Sequence, residues 1–159
     1  MTTTPLNLPP LFLVVEDDPM MGLLCARALE RLGVQVLISD SARRATQEAE
    51  RHAHRIQLFL VDVVLAAPPL RLGDREAHPH ADGGHLLSLL KHFCPRAVAV
   101  QMSAYAATDL DQHGYQLEAE HFIQKPFAPA TLRAFVQELL PDLKVLDHPI
   151  LPASDVTWY

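Results

Sequence analysis

A chain of 159 residues has room for one domain with a full hydrophobic core. Hydrophobic residues make up 49% of the chain and charged residues 20%, a composition that excludes an intrinsically disordered protein. The net charge is -6 and the isoelectric point about 5.8. Because the largest basic cluster in the sequence is the pair Arg43-Arg44, direct DNA binding is not expected.

Signal sequences, membrane spans and disulfides are not expected either. Residues 1–10 carry neither a basic nor an apolar signal-peptide region, and no apolar run approaches the ~18 residues of a membrane span. We therefore expect a cytoplasmic protein. The two cysteines, Cys25 and Cys94, lie in apolar helical contexts, so buried free thiols are favoured over a bridge.

The first predicted strand ends in carboxylates. The apolar run Leu11–Val15 has the composition of a strand buried on both faces, and Glu16-Asp17-Asp18 follows it directly. Pro19 is well placed at the first position of a helix whose N-cap is Asp18. Apolar residues at helical spacing continue this helix until Gly33.

The second and third strands repeat the pattern. Val34–Ile38 is the second strand, and Ser39-Asp40-Ser41 offers caps for a helix that runs to about Ala53. Four alanines, at 42, 45, 49 and 53, form the inner face of this helix. The third strand, Ile56–Asp62, is almost wholly apolar until its last residue. A charge is costly inside a sheet, so we expect Asp62 at the strand's carboxyl end, in a crevice.

The middle of the chain starts with an irregular stretch. Residues 66–82 have no periodicity and predict a long inserted loop. The helix that follows should place four apolar residues on one face: Leu86, Leu89, Leu90 and Phe93. The fourth strand, Ala97–Met102, ends at Ser103.

The segment 105–119 should hold a helix, although Gly114 interrupts it and its apolar face is thin. His121–Gln124 is a short fifth strand, followed by Lys125-Pro126-Phe127. A final helix covers about residues 129–140, with an apolar stripe at helical spacing.

Five strand-helix repeats predict an α/β fold: a five-stranded parallel sheet with helices on both faces. The expected strand order is 2-1-3-4-5, which places strands one and three side by side and brings Asp17 and Asp62 into one crevice. In this interpretation residues 1–10 are a lead, 11–140 the domain and 141–159 a tail without an output domain.

Four motifs, each at the carboxyl end of a strand, make residues 11–140 resemble a two-component response-regulator receiver domain of the CheY-like, flavodoxin-like type, here as a stand-alone protein. They are Val15-Glu16-Asp17-Asp18-Pro19, Val61-Asp62-Val63-Val64-Leu65, Ser103-Ala104 and Lys125-Pro126-Phe127. Each motif alone is weak, but all four in this order are a strong signal.

The resemblance implies an Mg²⁺ site, and clustered carboxylates are suited to such a hard cation. Asp17 would be a direct ligand, Glu16 would act largely through water, and Asp62 would be both ligand and phosphoacceptor. The backbone carbonyl of Val64 would complete the protein's ligands. Taken separately, Glu16 and Asp17 could instead be acids favoured by a helix N-terminus.

The resemblance also implies roles for residues after strands four and five. Lys125 would neutralise charge on the phosphoryl group, and Ser103 would donate its hydroxyl to it. Phe122 lies where the family has a switch aromatic, although simple core packing is an equal alternative. Val64 and Tyr105 occupy the positions at which the family tunes hydrolysis, and the Lys125-Pro126 bond should be cis.

The expected function is that of a bacterial response regulator in a phosphorelay, not that of an enzyme. A histidine kinase or phosphotransfer protein would phosphorylate it, and a downstream protein would bind it. The alternative is a pseudo-receiver that acts as a constitutive interaction module.

Histidines and acids in 66–82 match no strong metal template, so a solvated loop is favoured there. Apolar residues of the tail suggest docking or a homodimer: Ile150, Leu151, Val156, Trp158 and Tyr159.

Overall fold

The computed structural model describes residues 8–65 and 83–147, in which strands and helices alternate. The inserted loop interpreted at 66–82 and the apolar tail residues from Ile150 onward lie outside the described residues. The elements are β1 (Leu11–Val15), α1 (Pro19–Glu30), β2 (Gln35–Ser39), α2 (Ala42–Arg51), β3 (Ile56–Asp62), α3 (Gly83–Phe93), β4 (Val98–Ser103), β5 (His121–Gln124) and α4 (Pro129–Leu139).

The five strands form one parallel sheet in the order β2-β1-β3-β4-β5, as predicted from the sequence. Val15, the last residue of β1, lies beside Ser39 on one side and Val61 on the other. The residues that follow β1 therefore meet the end of β3 at the same edge of the sheet. This adjacency brings the side chains at the carboxyl ends of β1 and β3 together.

Two apolar clusters sandwich the sheet because alternate strand residues point to opposite faces. Leu13 and Val15 belong to the cluster under α2 and α3, whereas Phe12 and Val14 belong to the cluster under α1 and α4. Side chains from the centre of β3 are fully buried on both sides. Burial on both faces explains why the strands are almost continuously apolar.

Local signals in the sequence set the ends of the first two helices. The Asp18 carboxylate accepts hydrogen bonds from the backbone N–H groups of Met20 and Met21, which caps α1. Ser41 caps α2 in the same way, by accepting from the N–H of Arg44. Beyond α1, Gly33 adopts a φ of 74°, a conformation that favours glycine.

The prediction of a helix within 105–119 is wrong. The regular structure of this segment is a single 3₁₀ turn, Asp111–His113, so the described residues contain four α-helices beside the five strands, where five were expected. Gly114 follows with a φ of 81°, which ends the turn. Leu110 is buried, but one buried apolar side chain cannot hold a full amphipathic helix against the sheet.

The prediction of which residues form the inner face of α3 is wrong at one position. Leu89 is 43% exposed, whereas Leu87 is buried beside Leu86 and Leu90. Helical spacing permits either residue next to Leu86 and Leu90, and the rotation of α3 against the sheet selects Leu87.

The cysteines are free and buried, as expected. Cys25 lies in the cluster under α1 and α4 and Cys94 in the cluster under α2 and α3, so the sheet separates them and a bridge is excluded. Burial raises the pKa of both thiols, that of Cys25 to about 12. Within the described residues, the helices are too short or too polar to cross a lipid bilayer.

The start of the tail contacts its own domain. Leu143 packs against the cluster under α1 and α4, and the backbone N–H of Leu146 donates to the carbonyl of Arg31 at 2.8 Å. The start of the tail, as far as residue 147, therefore packs on its own domain, whereas the docking predicted for the apolar residues from Ile150 onward stays a prediction. A homodimer stays a prediction.

Candidate functional site

Three carboxylates meet at the carboxyl edge of the sheet. Glu16 and Asp17 follow β1, and Asp62 ends β3. One oxygen from each can be chosen so that all three lie within 4.8 Å of one another. Glu16 and Asp62 are buried, 2% and 4% exposed, while Asp17 is partly exposed and forms the open side of the cluster. The structure thus brings together the three acidic side chains that the sequence singled out.

Lys125 joins two of these carboxylates. Its Nζ lies 2.7 Å from Oδ2 of Asp62 and 2.9 Å from Oε2 of Glu16. The chain reaches this position directly from β5, and the Lys125-Pro126 peptide bond is cis, as expected. Backbone N–H groups hold the other oxygens: that of Val64 donates to Oδ1 of Asp62, and that of Asp18 donates to Oε1 of Glu16.

Burial of this cluster changes the proton affinity of two groups. Desolvation raises the pKa of Glu16 to about 7, against the lowering effect of its hydrogen bond from Lys125. Burial alone would lower the pKa of Lys125, but its hydrogen bonds to Asp62 and Glu16 outweigh burial and raise it. Lys125 therefore stays an ammonium at neutral pH, while Glu16 exchanges its proton near neutrality.

Ser103 lies at the end of β4 and is fully buried. Its Oγ accepts a hydrogen bond from the backbone N–H of Tyr105, and its carbonyl accepts one from the N–H of Lys125. The second bond ties the backbone of Lys125 to the end of β4. Ser103 at the end of β4 and Lys125 after β5 thus lie at the same edge of the sheet as Asp62.

The remaining predicted residues surround this group. Val64 is half-buried, with its backbone held by the Asp62 carboxylate. Tyr105 is 40% exposed, and its ring stacks on that of His113 with centroids 4.1 Å apart. Phe122 is half-buried on β5, next to the buried Ile123. The position of Phe122 is compatible both with a switch role and with simple core packing.

One structurally important side chain was missed. Gln101 is fully buried within β4, and its Oε1 accepts hydrogen bonds from the backbone N–H groups of Glu118 and Ala119 at 2.9 and 2.8 Å. The available signal was a single amide within the otherwise apolar run 97–102. An uncharged polar residue in a buried strand needs a partner, and the sequence did not show where that partner would be.

The cluster suits a divalent cation. Its donors are carboxylate oxygens alone, the ligand type of Mg²⁺ and Ca²⁺ rather than of zinc or copper. With all three acids ionised, three negative charges and the one positive charge of Lys125 leave a net formal charge of -2. The partly exposed Asp17 gives the cation access from solvent.

Comparisons with known proteins agree with this arrangement. A model of the response regulator receiver domain matches residues 12–137. The receiver domain of the hybrid histidine kinase CckA is 25% identical, with a TM-score of 0.62 over 82% of this chain and 98% of that one. A CheY-like receiver protein from Methanospirillum hungatei JF-1 is 24% identical, with a TM-score of 0.65 over 84% and 94% of the two chains.

A third solved structure shares the fold at lower identity. It is the complex of CheX with CheY, BeF3 and Mg²⁺ from Borrelia burgdorferi, which is 18% identical with a TM-score of 0.64 over 84% of this chain and 90% of that one. No curated protein gave a significant match.

Proposed function

Since the chain belongs to the response regulator receiver domain family, we propose that it accepts a phosphoryl group on Asp62 from a histidine kinase or phosphotransfer protein. The observation that carries this proposal is the contact of Asp62 with Lys125 at 2.7 Å, within a cluster of carboxylates suited to a cation. The consequence of phosphorylation would be a changed surface for a downstream protein.

The transfer is a displacement at phosphorus. A carboxylate oxygen of Asp62 attacks the phosphorus of a phosphohistidine, and the phosphorus–nitrogen bond breaks with its electron pair left on the imidazole. The product is an acyl phosphate on Asp62. Because Val64 N–H and Lys125 each hold one oxygen of Asp62, the carboxylate is fixed in orientation before the donor arrives.

Lys125 supplies fixed positive charge where negative charge gathers. Its ammonium already lies beside the carboxylate of Asp62, whichever of the two carboxylate oxygens attacks phosphorus. The lysine side chain therefore needs little rearrangement as the phosphoryl group arrives. Ser103, at the same edge of the sheet, would donate its hydroxyl to a phosphoryl oxygen.

Glu16, Asp17, Asp62 and the carbonyl of Val64 would hold the Mg²⁺. When bound, this ion would neutralise charge on the phosphoryl oxygens. The Borrelia complex contains BeF3 and Mg²⁺ together with a CheY of the same fold, which supports a role for Mg²⁺ at this site. The chain would assist its own phosphorylation and dephosphorylation without turning over a separate substrate.

The output surface would consist of the segment 105–119, β5 and α4. Phe122 and Ser103 would respond to the phosphoryl group, and the tail would support a homodimer. We propose a cytoplasmic role through protein contacts, without direct binding of DNA or membranes. The alternative function, a pseudo-receiver that binds a partner constitutively, requires that Asp62 never be phosphorylated.

Incubation with acetyl phosphate and Mg²⁺, followed by intact-mass measurement, separates the two functions. The proposal predicts that the intact mass increases by one phosphoryl group. It predicts no increase when EDTA is present, and none in an Asp62→Asn variant. A wild-type chain that gains no mass under conditions that label another receiver domain would support the pseudo-receiver.

A further inference from the structure

The strand that delivers Lys125 to the site has little support of its own. β5 has four residues and lies at the edge of the sheet, where it pairs with β4 alone. Lys125 follows it immediately, so the position of β5 along β4 determines where the ammonium lies between Asp62 and Glu16. What fixes β5 therefore bears on the chemistry.

The chain before β5 is held in an unusual way. In the described part of 104–120 no α-helix packs on the sheet, because the regular structure there is the short 3₁₀ turn. Instead, Gln101 Oε1 accepts the N–H groups of Glu118 and Ala119, directly before β5 begins. The carboxylate of Glu118 also accepts a hydrogen bond from the hydroxyl of Ser88 on α3.

Gln101 and Ser103 together fix both ends of β5. Gln101 is the register partner of Phe122, and its side chain holds the residues that precede the strand. At the other end, the Ser103 carbonyl accepts the N–H of Lys125 at 2.8 Å. Loss of the Gln101 contacts would leave β5 held by its pairing with β4, by the Ser103 bond and, through Glu118, by the hydrogen bond from Ser88.

The identity of the amide atoms shows what Gln101 contributes. Two N–H donors converge on one atom, so that atom must be the oxygen. The nitrogen Nε2 is then buried without a hydrogen-bond partner among the described residues. An apolar side chain of similar length would avoid this unpaired donor but would leave the N–H groups of Glu118 and Ala119 without their acceptor, so the contribution of Gln101 here is its pair of bonds to the backbone.

We infer that Gln101 is a positioning residue for Lys125, acting through residues 118–119 and β5. The inference rests on the proposed phosphorylation of Asp62, in which Lys125 takes part. A Gln101→Met variant keeps the length of the side chain and removes the oxygen. Since small displacements of catalytic groups reduce rates strongly, we expect phosphorylation by acetyl phosphate at saturating Mg²⁺ to slow by roughly tenfold.

Three controls separate positioning from a general loss of structure. The Mg²⁺ concentration for half-maximal rate should not change, because the carboxylates follow β1 and end β3 rather than β5. Gln101→Glu retains an acceptor oxygen and, with its carboxyl group neutral at this buried position, should recover part of the rate. Gln112→Met makes the same change at an exposed glutamine within the segment 104–120 and should match the wild type.

A double-mutant cycle with Lys125→Ala tests the route of the effect. If Gln101 acts through Lys125, Gln101→Met will not slow the Lys125→Ala variant further. Hydrogen exchange, measured without Mg²⁺ or phosphodonor, should accelerate at the amides of Glu118 and Ala119 in Gln101→Met and stay slow in Gln112→Met.

The outcomes distinguish this inference from the proposed function. A Gln101→Met variant that is phosphorylated at the wild-type rate, or that slows Lys125→Ala by the same factor as it slows the wild type, overturns the inference and leaves the proposed function intact. A wild-type chain that is never phosphorylated on Asp62 overturns both.

Discussion

The ammonium of Lys125 lies 2.7 Å from a carboxylate oxygen of Asp62, although the two residues come from the ends of different, non-adjacent strands. β4 separates β3 from β5, so the long lysine side chain spans the width of one strand to reach Asp62. Each Asp62 oxygen accepts one hydrogen bond and retains further lone pairs for a ligand or for attack. The site is thus partly charge-balanced before any cation or phosphodonor binds.

Glu16 makes the stability of the metal-free protein depend on pH. Burial raises its pKa from 4.5 to about 7, so the folded state holds a proton that the unfolded state has released across this interval. Stability therefore falls as pH rises from about 5 to about 7, by at most roughly 3 kcal/mol, and this contribution is constant above that range.

Urea unfolding in EDTA across this pH range measures the effect, with Glu16→Gln as the control. The wild type should lose stability with rising pH more steeply than the control. Equal slopes for the two proteins would show that Glu16 ionises normally in the folded state.

Asp17 should contribute directly to cation affinity. We expect Asp17→Asn to weaken Mg²⁺ binding by at least roughly tenfold, since one carboxylate of the three is lost. The Mg²⁺ dependence of the thermal midpoint reports this affinity. Asp18→Asn is a matched control because asparagine caps a helix as well as aspartate does, and Asp18 lies outside the cluster. Equal Mg²⁺ affinities for the wild type and Asp17→Asn would remove Asp17 from the ligand set.

Val64 and Tyr105 should slow the loss of the phosphoryl group. Neither side chain offers an acid or amide to orient a water molecule for in-line attack, and the stack on His113 restrains the Tyr105 ring. We expect Val64→Asn and Tyr105→Asn each to shorten the lifetime of the acyl phosphate, followed by intact mass after removal of the donor. Tyr115→Asn makes the same change further along the chain. If the two site variants lose phosphate no faster than Tyr115→Asn, these positions do not control hydrolysis.

The docked start of the tail should contribute to stability. Leu143 is half-buried against the cluster under α1 and α4, so Leu143→Ala should cost roughly 1–2 kcal/mol, less than a fully buried leucine. Val145 is 48% exposed, and Val145→Ala should change stability by under about 0.5 kcal/mol. Urea unfolding compares the two variants. A Leu143→Ala variant as stable as Val145→Ala would show that the tail does not pack in solution.

The strands and the acidic cluster were predictable because their signals are local. Each buried strand is a largely apolar run, and polar residues mark the carboxyl ends of β3 and β4, at Asp62 and Ser103. Parallel strands place all these ends at one edge, so the meeting of Glu16, Asp17 and Asp62 follows from strand order.

The features that were missed depend on contacts between distant segments. Whether Leu87 or Leu89 enters the core is decided by the rotation of α3 on the sheet, which spacing alone does not fix. The segment before β5 lacks a helix, and its substitute anchor is a pair of bonds to Gln101, about 17 residues earlier in sequence. Likewise, the bond from Leu146 to Arg31 has no marker in the sequence.

The most direct measurement of the central claim locates the phosphoryl group. Protein labelled with acetyl phosphate and Mg²⁺ is reduced with borohydride, which converts an aspartyl phosphate to homoserine, and is then mapped by tandem mass spectrometry. We predict conversion at Asp62 alone, and none in Asp62→Asn. Conversion at Glu16 or Asp17 in place of Asp62, or added phosphoryl mass that borohydride does not convert, would contradict the assignment of Asp62 as the phosphoacceptor.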